Sequence, residues 1–118
     1  MTTITAHLTL VTEHQTHQAV AEQLAALLQQ TLGPACSIHS IAPYPKFDHS
    51  FKLELEVNLD TTQNTVLQGI VQTDTIVAPW SVYYDNDANT AELLFNKDQN
   101  SRFRQPEFTV IRWGHWRL

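Results

Sequence analysis

The chain has 118 residues, 42% of them apolar and 9% aromatic, which suits one hydrophobic core and a single domain over residues 1–118. Its formal charge of −5 opposes loose attachment to phosphate backbones. The single cysteine, Cys36, rules out an internal disulfide and thiol-cluster metal sites, and no apolar run approaches the roughly 18 residues of a membrane-spanning helix.

Residues 4–11 alternate as a strand, with Ile4, Ala6, Leu8 and Leu10 on one face. Thr12 or Thr16 is positioned to cap a following helix, and Thr12 with Gln15 has capping-box spacing. From His17 to Leu32 the apolar period lengthens to that of a helix, with Val20, Leu24, Leu27, Leu28 and Leu32 as its stripe and Gly33-Pro34 as its stop. A weaker strand over 35–43 ends at Pro43-Tyr44-Pro45, and residues 45–50 connect it to the clearest strand of the chain. There Phe51, Leu53, Leu55, Val57 and Leu59 alternate with Lys52, Glu54, Glu56 and Asn58, giving one core face and one wet face.

A second helix, capped by Asp60, Thr61 or Thr62, runs to about Asp74 with Val66, Leu67, Ile70 and Val71 as its stripe; Gly69 counts against it. After Pro79, residues 80–84 are rich in β-formers, 85–90 form a polar turn, and 91–96 return as the second arm of a hairpin. A polar loop over 97–106 leads to a last strand from Glu107 to about Leu118. The order β-α-β-β-α-β with two further β segments predicts an α+β fold. The expected form is a ferredoxin-like split βαβ antiparallel sheet, with two helices on one face and an additional C-terminal hairpin or edge strand.

No nucleophile elbow or phosphate-binding loop is present, and only three glycines occur, far apart. Neither catalytic nor metal-binding residues are therefore assigned, and no cofactor is expected. Glu13, His14 and His17 make only a partial ligand set. Cys36, beside Ala35 and Ile38, reads as a buried structural thiol. The acidic pairs are more informative. Glu54 and Glu56 share the wet phase of their strand, while Asp85 and Asp87 flank the sharpest turn, close to Trp80 and Tyr84. Such carboxylates suit a protein partner bearing Lys or Arg.

Charge is segregated along the chain. Residues 1–96 hold ten acids and two bases, whereas residues 97–118 hold two acids and five bases. Basic and aromatic residues do alternate near the end, from Lys97 and Arg102 to Arg112 and Arg117 around Phe103 and Phe108. Pairing of these bases with the acidic strands is preferred over nucleic-acid binding on a chain of this net charge. In the last strand apolar groups fall on both phases, which points to a bulge near Gly114, burial on both faces, or an exposed aromatic surface.

That closing segment, Phe108-Thr109-Val110-Ile111-Arg112-Trp113-Gly114-His115-Trp116-Arg117-Leu118, resembles the ends of small bacterial immunity proteins of contact-dependent inhibition and related polymorphic-toxin systems. Trp113, His115 and Trp116 carry the resemblance. It implies a cytoplasmic protein that neutralises one cognate toxin domain, commonly a nuclease, by covering its active site or an essential surface. On that reading Glu54, Glu56, Asp85 and Asp87 meet the basic groove, and Trp80 or Tyr84 anchor the contact. The N-terminal residues lack the basic and apolar pattern of a signal peptide, in keeping with a cytoplasmic location. Neither nucleic acid nor membrane is an expected partner, and a homodimer is compatible with the pattern. The alternative is a homodimeric ferredoxin-like module that binds a small molecule or is a small enzyme, with a pocket in which His39 approaches Glu54 or Tyr84.

Overall fold

A computed structural model describes residues 2–85 and 90–118. The chain runs β1 (Thr3–Thr12), α1 (Gln18–Leu32), β2 (Cys36–Pro43), β3 (Phe51–Asp60), α2 (Thr65–Asp74), β4 (Val77–Ala78), β5 (Ser81–Asp85), β6 (Thr90–Asn96), β7 (Arg102–Phe103), a 3-10 turn (Pro106–Val110) and β8 (Ile111–Arg117). Six strands form one open sheet in the order β2-β3-β1-β8-β6-β5, while β4 and β7 make a two-residue ribbon of their own. Neighbouring strands pair antiparallel throughout the described residues. The fold is thus α+β, with two helices and an antiparallel sheet.

The alternation seen in the sequence sets which side is dry. Ala6, Leu8 and Leu10 of β1 lie across from Val57, Leu55 and Leu53 of β3, and all six are buried. They share one core with Leu24 and Leu28 of α1, Phe95 of β6 and Trp116 of β8. Both helices stand on this side.

Several local readings change. Thr12 is buried at the end of β1, where its hydroxyl donates to the Phe51 carbonyl (3.2 Å). Neither it nor Thr16 caps α1: the N-cap is His17, without a side-chain bond. The buried face of α1 is Ala21, Leu24, Ala25, Leu28 and Leu32, one position round from the expected stripe, because two alanines allow closer approach to the sheet than Val20 and Leu27 would. Gly33 ends the helix at φ 95, the left-handed region that glycine enters without steric cost. For α2 the cap is Asn64, whose Oδ1 accepts from the Leu67 N–H (3.0 Å); the Asp60 carboxylate instead accepts from both the N–H and the hydroxyl of Thr62.

The apolar stripe expected to bury α2 lies largely outside, with Leu67 and Val71 each 57% exposed. Its packed side is Gly69 and Thr73. A Cβ built on Gly69 would stand 2.6 Å from Nε1 of Trp116 and 3.0 Å from Cε2, so the residue that counted against this helix is the one that seats it on β8.

The C-terminal region also differs from expectation. Residues 106–110 are a 3-10 turn rather than strand. The extra hairpin, β5–β6, precedes the last strand and forms a sheet edge, while β8 is interior, between β1 and β6. Between the pairs Val11–Trp113 and Thr12–Ile111, β8 holds one residue more than β1. This bulge at Arg112 switches phase, so Ile111 and Trp116 are both buried while Trp113 faces the other way.

Replacing Gly69 by alanine tests the Trp116 contact. Alanine gains about 1 kcal/mol of helix propensity, but overpacking costs about 1–3 kcal/mol. Urea unfolding is expected to show a net loss of stability; a gain near the full propensity value would mean that Trp116 does not rest on this residue.

Candidate functional site

The face of the sheet opposite the helices carries the residues of the wet phase. Cross-strand register places His7 beside Glu56 and Arg117, Thr9 beside Glu54 and His115, and Val11 beside Lys52 and Trp113. Leu94 continues the row from His115, with Ser81 beyond it.

Glu54 and Glu56, singled out in the sequence, sit together here on β3. The Ser40 hydroxyl donates to Glu54 Oε2 (2.9 Å), and Lys52 Nζ lies 3.0 Å from Oε1. The hydrogen bond from Lys52, then that from Ser40, hold the Glu54 carboxyl below its ordinary pKa. One oxygen of Glu56 is 3.7 Å from Nδ1 of His39 and 4.0 Å from Nδ1 of His7. His39 reaches this position because it is the extra residue of a bulge in β2, between the Ile38–Leu55 and Ser40–Glu54 pairs. It thus meets Glu56, on an open surface where His39 is 62% exposed, rather than Glu54 or Tyr84 inside a pocket.

The other candidate residues do not join this group. Trp80 is half-buried on the helix side: its indole N–H donates to the Val77 carbonyl (2.8 Å), its ring lies 5.6 Å from Phe95, and its edge covers Gly114, where a Cβ would stand 2.5 Å from it. Tyr84 pairs with Ala91 and so follows the phase of buried Leu93, on the helix side of the edge strand. Asp85, paired with Thr90, shares the phase of Ser81 and Tyr83, toward the open face. Asp87 lies outside the described residues. Trp80 and Tyr84 are therefore separated by the sheet from Glu54 and Glu56.

Two aromatic groups that were not singled out as contacts take that place. Trp113 and Tyr83, the latter 57% exposed, belong to the open-face phase. Alternation alone already put Trp113 in phase with His115; what the sequence concealed was which phase is wet. Of the residues behind the C-terminal resemblance, Trp116 is core at 1% exposure, while Trp113 and His115 lie on the open face, their rings 5.9 Å apart. His115 Nε2 is 3.2 Å from Oε1 of Glu92.

Among the described residues no three His, Cys, Asp or Glu side chains group as a metal site. Cys36 is buried, as its neighbours suggested, and burial pushes its thiol up to about 11, which disfavours the nucleophilic thiolate at neutral pH. Two bases of the C-terminal segment pair with acids, Lys97 with Glu13 (2.6 Å) and Arg104 with Asp74 (2.7 Å). What the open face displays is a set of carboxylates, imidazoles and aromatic groups on a hydrogen-bonded sheet.

No protein-family model, curated protein or solved structure matches this chain.

The Glu54 pairing has a testable pH signature. Since its folded pKa is lowered from 4.5, it contributes stability above that value, lost as pH falls through the lowered one. Lys52→Met is expected to raise the Glu54 pKa in a carboxyl-carbon NMR titration and to shrink the acid-side loss of stability. An unchanged Glu54 titration would contradict the assignment.

Proposed function

We propose that the protein acts by binding, as an immunity protein that neutralises a cognate toxin domain through the uncovered face of its sheet. The observation that carries this reading is the placement of Glu54 and Glu56 side by side in mid-sheet, partly exposed and framed by His7 and His39. Carboxylates held on a strand cost little reorganisation on binding, so they attract and orient a basic partner such as the nucleic-acid groove of a nuclease. Glu92 and Asp85 add to the acidic character farther along the same phase.

Area agrees with this role. Six strands span about 24 Å between the outer strand axes, and a ten-residue strand is about 33 Å long, so the face offers up to roughly 800 Å2. One side of a standard stable interface takes about as much. Trp113 and Tyr83 supply aromatic surface of the kind that dominates binding energy, with the charges contributing more to encounter rate and partner choice. Similarity of the closing segment to immunity proteins names the class of partner, and the open-face position of Trp113 and His115 is compatible with direct contact.

We further propose a ferredoxin-like core for the region β1-α1-β2-β3-α2 together with β8. In support, β3 lies between β1 and β2, and β1 lies between β3 and β8. On this reading β5–β6 is an insertion that widens the sheet.

The test is titration against the basic C-terminal toxin domain encoded beside this protein. One-to-one binding is expected, along with suppression of toxin activity. The double change Glu54→Lys and Glu56→Lys should weaken binding at least about tenfold, or ~1.4 kcal/mol, with little change in Tm. Absence of binding, or indifference to the reversal of both charges, would contradict the proposal.

A further inference from the structure

At the end of the open face nearest the β2–β3 connection, the sheet is walled into a concavity of about 440 Å3, within the range of roughly 300–1,000 Å3 usual for small-molecule sites. Its walls come from three places in the chain: Tyr44, Lys46 and Phe47 of the connection, Asn96 and Lys97 at the end of β6, and Arg112 and Trp113 beside Val11. Three cations and three aromatic rings thus converge in a protein of net charge −5.

The cations are not equivalent. Lys97 is held by Glu13 Oε1 and by the Thr109 carbonyl, each at 2.6 Å, so its charge is compensated. The guanidinium of Arg112 lies 3.9 Å from the centre of the Phe47 ring and that ring is stacked on Tyr44 at 5.9 Å. Stacking fixes the plane of the guanidinium while leaving its N–H edge able to donate. Lys46 Nζ is 5.9 Å from the same ring. Among the described residues no carboxylate lies within 4 Å of Arg112 or Lys46. The bulge in β8 is what puts Arg112 here, and the next residue, Trp113, lines the same cavity.

We infer that this cavity is a binding site for a small organic phosphate carrying a planar aromatic ring, of the size and chemistry of a nucleoside monophosphate. A phosphate monoester carries about −1.5 to −2 at neutral pH, which suits Lys46 and Arg112 together: neither has a carboxylate in direct contact among the described residues, and the Glu13 carboxylate, which acts on Arg112 at longer range, is itself held by Lys97. Arg112 presents paired donors suited to phosphate oxygens, and Lys46 adds a mobile point charge at the rim. The ring stacks on the aromatic wall of Trp113 and Tyr44, a contact that tolerates different bases because each has a π face. A free mononucleotide is favoured over a nucleic-acid strand, because a polymer would have to extend from this cavity along a face bearing Glu54, Glu56 and Glu92.

The site concerns the protein alone, so its test needs no toxin partner. Calorimetry and tryptophan fluorescence would follow titration of the purified protein with adenosine 5′-monophosphate, adenosine, inorganic phosphate and a short single-stranded oligonucleotide. Saturable binding of the monophosphate is expected, with adenosine and inorganic phosphate each at least about tenfold weaker, since each supplies half of the recognition. Arg112→Gln and Lys46→Gln should each weaken the monophosphate by about tenfold, ~1.4 kcal/mol; Lys46, exposed on the connection, is the change least able to disturb folding. The proposal is overturned by no binding at millimolar monophosphate, by inorganic phosphate binding as well as the monophosphate, by Lys46→Gln and Arg112→Gln both binding like the parent, or by the oligonucleotide binding more tightly.

Discussion

Alternation along β3 and along β1 as far as Leu10 divides the sheet into a dry face and a wet one, and the remaining elements are arranged around that division. Leu8 and Leu10 meet Leu55 and Leu53 on one side, while His7 and Thr9 meet Glu56 and Glu54 on the other. A slip of one residue would turn both leucine pairs toward water, so the register is strongly specified. Only the dry side requires cover. Helix α1 provides it with Ala21, Leu24, Ala25 and Leu28, and α2 provides it by letting Trp116 rest against Gly69. No helix covers the second face, which is open except at the end where Val11 is buried beside the β2–β3 connection.

Bulges then adjust what that face displays. In β2 the extra residue brings His39 to Glu56. In β8 the extra residue, Arg112, allows Ile111 and Trp116 both to enter the core while Trp113 turns outward. The result is a face with two characters: acidic and imidazole-rich across β3 and β1, cationic and aromatic where the β2–β3 connection closes over Arg112. On the proposed reading, a protein partner and a small anion engage neighbouring regions of one surface by different chemistry.

Much of this was legible because period-two alternation is a direct consequence of strand geometry. It located β1, β3 and the wet placement of Glu54 and Glu56, a run of β-formers before a polar turn pointed to the hairpin arms, and Gly33-Pro34 marked the end of α1. Less local facts were hidden. The burial of α2 through Gly69 depends on a tryptophan forty-seven positions away in the chain, and an exposed Leu67–Val71 stripe contradicts the usual inference from apolar spacing. Trp80 looked like a surface anchor because it lies beside an acidic turn, yet the bare backbone of Gly114 leaves room for its indole on the helix side. Likewise the cation cluster joins Lys46, Lys97 and Arg112 from separated segments, so that no spacing rule announces it.

The central claim is that recognition belongs to the uncovered sheet face. Hydroxyl-radical footprinting of side chains, with and without the proposed toxin domain, addresses it most directly, since side chains project to opposite faces whereas the backbone hydrogen bonds lie in the plane of the sheet. The account predicts protection of His7, His39, Tyr83, Trp113 and His115, with Leu67 and Val71 of α2 labelled as in the free protein. Protection confined to the α2 stripe, with the sheet-face histidines and Trp113 unchanged, would contradict it.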